Sequence, residues 1–138
     1  MSRTDRVRDF FAAGFPLGAI GHFFWVGKHG LWYHFERPDW APVFWYVLCA
    51  LDFLAGWLLI RRPRLGLILG NAMMATTMFV NLAVFPSFAH GFNVVAVGIT
   101  AFGIALACAT PWLWRSRPLS WRQAAAALWP ARARTRRR

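Results

Sequence analysis

Four apolar stretches occupy most of this 138-residue chain, running roughly from Phe10 to Val26, Ala41 to Ile60, Leu65 to Phe88 and Phe92 to Trp114. A helix that crosses a bilayer needs ~17 to 25 residues of this kind, so the first stretch sits at the short end and the other three well inside the range. With 58% hydrophobic and 17% aromatic residues, a chain of this size carries more apolar surface than one small soluble core can hide. Hydrocarbon offers no water to satisfy backbone groups, which restricts segments of this length to helices with internal hydrogen bonds. The expected fold is therefore all-α: an integral membrane four-helix bundle over residues 1–116, followed by a basic tail over 117–138.

The positions of the basic residues predict the orientation. Arg3, Arg6 and Arg8 precede the first stretch, Arg61, Arg62 and Arg64 fill the second connection, and Arg115, Arg117, Arg122 and the terminal cluster follow the fourth. The connection from Gly27 to Trp40 sets Lys28 and Arg37 against Glu36 and Asp39, and that from Pro86 to Gly91 has neither Lys nor Arg. Because Lys and Arg beside spanning segments stay on the cytoplasmic side, four crossings with both termini cytoplasmic satisfy every loop. The net charge of +11 is then mainly a topological signal and predicts no specific nucleic acid partner. Trp25, Trp32, Tyr33, Trp40, Trp45 and Tyr46 collect at the expected outer boundary, while Trp57, Trp112, Trp114, Trp121 and Trp129 collect at the inner one, as interfacial aromatics do. The first stretch leads into Phe23, Phe24 and Trp25 instead of a small-residue cleavage site, so it is expected to be retained as a span. The dominance of arginine over a single lysine, Lys28, together with abundant alanine, suggests a bacterial source and hence the bacterial inner membrane.

Small residues mark where lipid-embedded helices can approach. Gly14 and Gly18 stand four apart on the first stretch, Gly66 and Gly70 on the third, and Ala96, Thr100, Gly103, Ala107 and Thr110 form a stripe on the fourth. Each glycine pair marks either a dimer seam or a contact within the bundle. Pro16 is expected to bend the first helix or to leave a carbonyl unpaired. In the tail, Ser120 with Gln123 reads as a capping box opening a short helix that Pro130 ends, lying on the inner surface. The terminal run from Arg132 to Arg138 would meet anionic lipid, each basic residue contributing ~1 kcal/mol.

Asp52 is the most informative single residue, a carboxyl about eight residues from the inner end of the second stretch. A charge there costs ~2.5 to 3.5 kcal/mol on insertion, so it must be neutral, paired or facing a wet cavity. Folding the second and third stretches antiparallel about Arg61 to Arg64 brings Asp52 level with about Met73, and makes Asn71 its expected partner. Two roles stay open: a structural hydrogen bond between helices, or a lining for a ligand or proton site. The same depth reckoning sets His22 level with Thr77 and places Asn81 one turn further out, an expected polar layer. Met73, Met74 and Met78 read as core filler, and Cys49 and Cys108, on different helices, as small hydrophobes instead of a disulfide. His29, His34, Glu36, Asp39 and His90 share the outer surface but lack the spacing of a metal site, and neither a nucleophile motif nor a phosphate-cradling loop occurs.

The runs Gly21-His22-Phe23-Phe24, Arg37-Pro38-Asp39-Trp40-Ala41-Pro42, Leu51-Asp52-Phe53-Leu54-Ala55-Gly56, Arg61-Arg62-Pro63-Arg64-Leu65-Gly66 and Phe79-Val80-Asn81 resemble the DoxX-like family of small four-helix membrane proteins. The resemblance covers most of the chain from Gly21 to Asn81, matching Asp52, Arg61 to Arg64 and Asn81 to an acidic residue, a basic turn and an Asn of the family, with Asp where Glu is usual. It implies an accessory membrane subunit, possessing a membrane protein partner or forming a homo-oligomer, linked to quinone or thiol redox chemistry. The sequence thus predicts a noncatalytic membrane subunit with a lipid or quinone-like ligand near Asp52, no resident metal, and no cofactor it can name. The alternatives are an outward-facing metal-dependent membrane enzyme using His22, His29, His34 or His90, and a small transporter subunit.

Overall fold

A computed structural model of the chain describes residues 1–29, 40–83 and 94–116. These form four helices, α1 (Arg3–His29), α2 (Ala41–Arg61), α3 (Pro63–Ala83) and α4 (Val94–Arg115), with no strand among the described residues. The expected first span is extended by two turns at its start. The outer end of the expected third span, the outer loops with His34, Glu36, Asp39 and His90, and the tail with its Ser120 capping box and arginine cluster lie outside the described residues.

The early start of α1 has a local cause. Ser2 is an N-cap whose Oγ accepts from the Asp5 amide at 3.1 Å, while the Asp5 carboxylate accepts from the Ser2 amide at 3.2 Å and from its hydroxyl at 2.8 Å. This is a capping box with Asp at the third position, and it satisfies amides that a helix start otherwise leaves without partners. The Ser2 hydroxyl, aided by Arg8 at 3.1 Å, holds the Asp5 carboxyl below its ordinary range. A depressed carboxyl contributes stability above its unfolded pKa and loses it as pH falls through the folded value. Ser2→Ala should cost about 1 kcal/mol at neutral pH and progressively less as acid protonates Asp5, checked by thermal denaturation of detergent-solubilised protein across that range.

Contacts along the helices fix an antiparallel up-and-down order. A β-carbon at Gly56 would stand 2.6 Å from the Ala12 carbonyl oxygen and 2.9 Å from Pro16 Cδ, and one at Gly18 would stand 3.7 Å from Asp52 Oδ2. Further along the same seam the His22 ring stacks on Trp45, with centroids 5.2 Å apart. Gly66 lies against the backbone of Leu58 and Leu59, where α3 turns back along α2 after Arg62. Gly103 of α4 receives Met74 and Met78 of α3, and Arg64 sits 5.6 Å over the Trp114 ring at the far end of that pair. Phe102 joins α4 to α1, packing edge-on against Phe11 and Phe15 at 5.3 Å and against Gly14.

These contacts settle which face several small residues serve. Gly14, Gly66 and Gly70 are all occupied by neighbours within the chain, Gly70 by Phe15 and Leu106. The α4 stripe divides: Gly103 and Thr110 meet α3, whereas Ala107 is exposed. Pro16 does not interrupt α1. A proline ring removes the bond to the carbonyl four residues back, here that of Ala12, and this carbonyl is the group that abuts Gly56.

The buried core runs through Phe11, Ala12, Phe15, Ala55, Leu59, Leu67, Leu106 and Leu113 in the half nearer Arg62, and through Ala19, Leu48, Cys49, Met73 and Val80 in the other half. Large apolar side chains also point outward on every helix: Phe10, Leu17 and Phe24; Val43, Trp57 and Ile60; Ile68 and Phe79; Val97 and Ile104. Two of the four helices, through Val43–Arg61 and Val97–Arg115, are long and apolar enough to cross a membrane. They correspond to the second and fourth of the four expected spans. The antiparallel order gathers Arg3, Arg6, Arg8, Arg61, Arg62, Arg64 and Arg115 at one end of the bundle, hereafter the arginine end, with Trp40 at the other.

Candidate functional site

Asp52 stands halfway along α2, half-buried, with its carboxylate beside Gly18. The spacing of Trp45, Cys49, Asp52 and Gly56 along α2 puts all four on the stripe that faces α1, because residues three and four apart share a helix face. Gly18 presents no side chain there and is itself exposed, so the carboxylate lies at an open stretch of the seam between the tight contacts at Gly56 and at His22–Trp45.

Asn71 is not the partner of Asp52. Its amide nitrogen donates to Thr110 Oγ1 and to its own helix at the Leu67 carbonyl, both at 2.8 Å, while the Thr110 hydroxyl donates to the Leu106 carbonyl at 2.8 Å. The expected level was sound, but level along an axis does not determine direction around it. Asn71, Met74 and Met78 recur at three and four residues and turn toward α4, whereas Asp52 turns toward α1. The result is a polar clasp between α3 and α4, separate from the carboxylate.

The expected layer of His22, Thr77 and Asn81 is placed as follows. Thr77 and Asn81 are buried, 7% and 6% exposed, on the α3 face that also carries Gly70 and Met73. The Phe15–Gly70 contact sets the register between the parallel helices α1 and α3, and the same offset brings His22 level with Thr77. His22 itself is half-buried, its ring against Trp45. The Asn81 Oδ1 atom is fully buried and has no hydrogen-bond partner among the described residues. Sequence reasoning found the heights of these groups but missed the role of Trp45 as the aromatic surface under His22; the seven-residue spacing from Asp52 to Trp45 was the available signal.

Among the described residues no three of His, Cys, Asp and Glu converge as a metal site. Cys49 is buried and Cys108 exposed, both as free thiols. Met74 and Met78 contact Gly103 as packing residues. Chemically the seam offers one carboxyl, one imidazole on an aromatic face, and a glycine gap that leaves the carboxyl approachable.

Comparison with known proteins returns no matching family model, no matching curated protein and no matching solved structure.

Proposed function

We propose that this chain is a small multi-pass protein of a bacterial inner membrane, with the arginine end and both termini cytoplasmic, serving as a noncatalytic subunit that holds a lipid or quinone-like ligand against Asp52. The single observation that carries the reading is a half-buried carboxyl at mid-length of an otherwise apolar helix, beside a bare glycine, in a bundle that exposes large apolar side chains on every helix. Water would penalise that exterior at roughly 25 cal/mol per Å2, whereas lipid tails accept it. A carboxyl at that depth favours a partner that brings its own hydrogen-bond donor. Hydroxyl groups of a hydroquinone or of a lipid headgroup have that chemistry, and the exposed Phe23, Phe53 and Leu54 give an apolar tail a surface to lie on. The DoxX-like resemblance points the same way, toward a membrane complex with a quinone or redox connection. Anionic lipid at the arginine end is the second expected partner, in keeping with exposed Arg61, Arg62, Arg64 and Arg115.

The test compares wild type with Asp52→Asn in lipid nanodiscs, using a short-chain hydroquinone as the titrant and scoring co-purified membrane proteins in parallel. Removal of the ionisable carboxyl should weaken binding at least about tenfold, the equivalent of 1.4 kcal/mol, with folding and expression retained. Unchanged hydroquinone affinity together with unchanged partner recovery would remove Asp52 from the site.

A further inference from the structure

We propose that the half of the bundle opposite the arginine end is a one-sided access path, admitting water and protons as far as Asp52 and no further. The inference rests on the membrane-embedded reading above but not on any ligand at Asp52.

The polar groups form a ladder along the axis. Gly18 is level with Asp52, and His22 follows four residues later on the same helix, about 6 Å further out at 1.5 Å per residue. Thr77 shares the level of His22, and Asn81 is four residues beyond, another step of about 6 Å. One water accepting from one group and donating to the next spans roughly 5.5 Å, close to the axial rise between successive levels. Asn81 lies two residues before Ala83, the last described residue of α3, on the side of the bundle that carries Trp40.

Asn81 supplies independent evidence that this half is hydrated. A fully buried amide oxygen without a donor is costly, and buried water is the ordinary way proteins satisfy such groups. A dry polar layer would have paired that oxygen with a neighbouring side chain, as Asn71 and Thr110 are paired with each other.

In the opposite half, among the described residues, the one buried charged side chain is Asp5, held by Ser2 and Arg8 at the very end of the bundle. From Asp52 toward Arg62 the other buried side chains are Phe11, Ala12, Phe15, Ala55, Leu59, Leu67, Leu106 and Leu113, with the Phe102 ring wedged against Phe11 and Phe15. Asn71 and Thr110 at the α3–α4 seam are engaged with each other and with the Leu67 and Leu106 carbonyls. Water entering from the far end therefore finds hydrogen-bonding groups down to Asp52, then an apolar plug. A carboxyl that exchanges protons with one compartment only is suited to sensing that compartment or to passing a proton to a partner held at the same depth.

Cysteine accessibility tests this in the full chain. In a Cys49→Ala, Cys108→Ala background, single cysteines replace Asp52, Asn81 and Phe15, and sealed vesicles of known orientation are treated with a membrane-impermeant thiosulfonate from either side. Asn81→Cys and Asp52→Cys should react at least tenfold faster from the Trp40 side, and Phe15→Cys should react from neither. His22→Cys, a middle rung, gives the same reading should the Asp52 variant fail to fold. Equal rates from both sides, faster reaction from the arginine side, or inert cysteines at 22, 52 and 81 would overturn the path. Trp40→Cys and Arg62→Cys serve as end markers. If these two react from the same side, it is the membrane reading that fails; if they react from opposite sides while the ladder positions stay inert, the path alone fails.

Discussion

Gly56→Val is expected to prevent stable assembly of the bundle. At this position a first β-carbon already meets the Ala12 carbonyl oxygen at 2.6 Å and the Pro16 ring at 2.9 and 3.0 Å. The obstacle is backbone and a ring fused to backbone, so no rotamer change can relieve it. Overpacking a core costs typically about 1 to 3 kcal/mol, and rigid neighbours put this site at or above the upper figure. Separation of α1 from α2 would also remove the cover that Gly18 and His22 give Asp52 and Trp45. Denaturant titration in detergent micelles should show Gly56→Ala weakened by roughly 2 kcal/mol and Gly56→Val not recovered as folded monomer. A Gly56→Val protein with wild-type stability would mean that α1 and α2 are not packed at Pro16.

The second large effect is expected at Phe102, where one ring meets Phe10, Phe11 and Phe15 and covers Gly14. Truncating a packed Phe to Ala costs about 3 to 5 kcal/mol in soluble cores, and edge-to-face pairs contribute about 0.5 to 1.5 kcal/mol each beyond area. With the bundle in lipid, as proposed, the transfer component is smaller because tails can refill the space, so a loss of about 2 to 3 kcal/mol is expected for Phe102→Ala. The signature that separates packing from general damage is compensation. A β-carbon at Gly14 would stand 2.5 Å from the Phe102 ring, so Gly14→Leu should be severely destabilising alone. It should be tolerated when Phe102→Ala has vacated the space. Strictly additive losses in this double-mutant cycle would show that the two positions do not touch.

Much of the helical frame was legible in the sequence because long apolar runs and clustered arginines respond to strong constraints that act on whole segments. Helix order, the gathering of seven arginines at one end and the levels of Asp52, His22 and Thr77 all follow from length, rise and alternation of direction. Rotation about the helix axis was the weaker element. Asn71 and Asp52 share a height, and only the stripe of Met74, Met78 and Asn71 packed on Gly103 and Thr110 reveals that the amide belongs to α4. The Gly pairs likewise stayed ambiguous until their neighbours were known, since close approach within a chain and between chains places the same demand on residue size. The Ser2–Asp5 cap has the correct spacing in the sequence, but apolar length begins only at Phe10, beyond the cap. The candidate site was legible as residues and not as geometry: Gly18 and Trp45, the two immediate neighbours that shape the surroundings of Asp52 and His22, carry no chemical motif of their own.

The most direct measurement of the central claim is the location of the two ends of the intact chain relative to a bilayer. Short protease-cleavable tags placed next to Trp40 and next to Arg62 would be probed in sealed membrane vesicles of known orientation, after washing in alkaline carbonate. The account predicts that the chain stays with the membrane and that the two tags are cleaved from opposite sides, the Arg62 tag from the cytoplasmic face. Release of the chain by carbonate, or cleavage of both tags from one side, would contradict it.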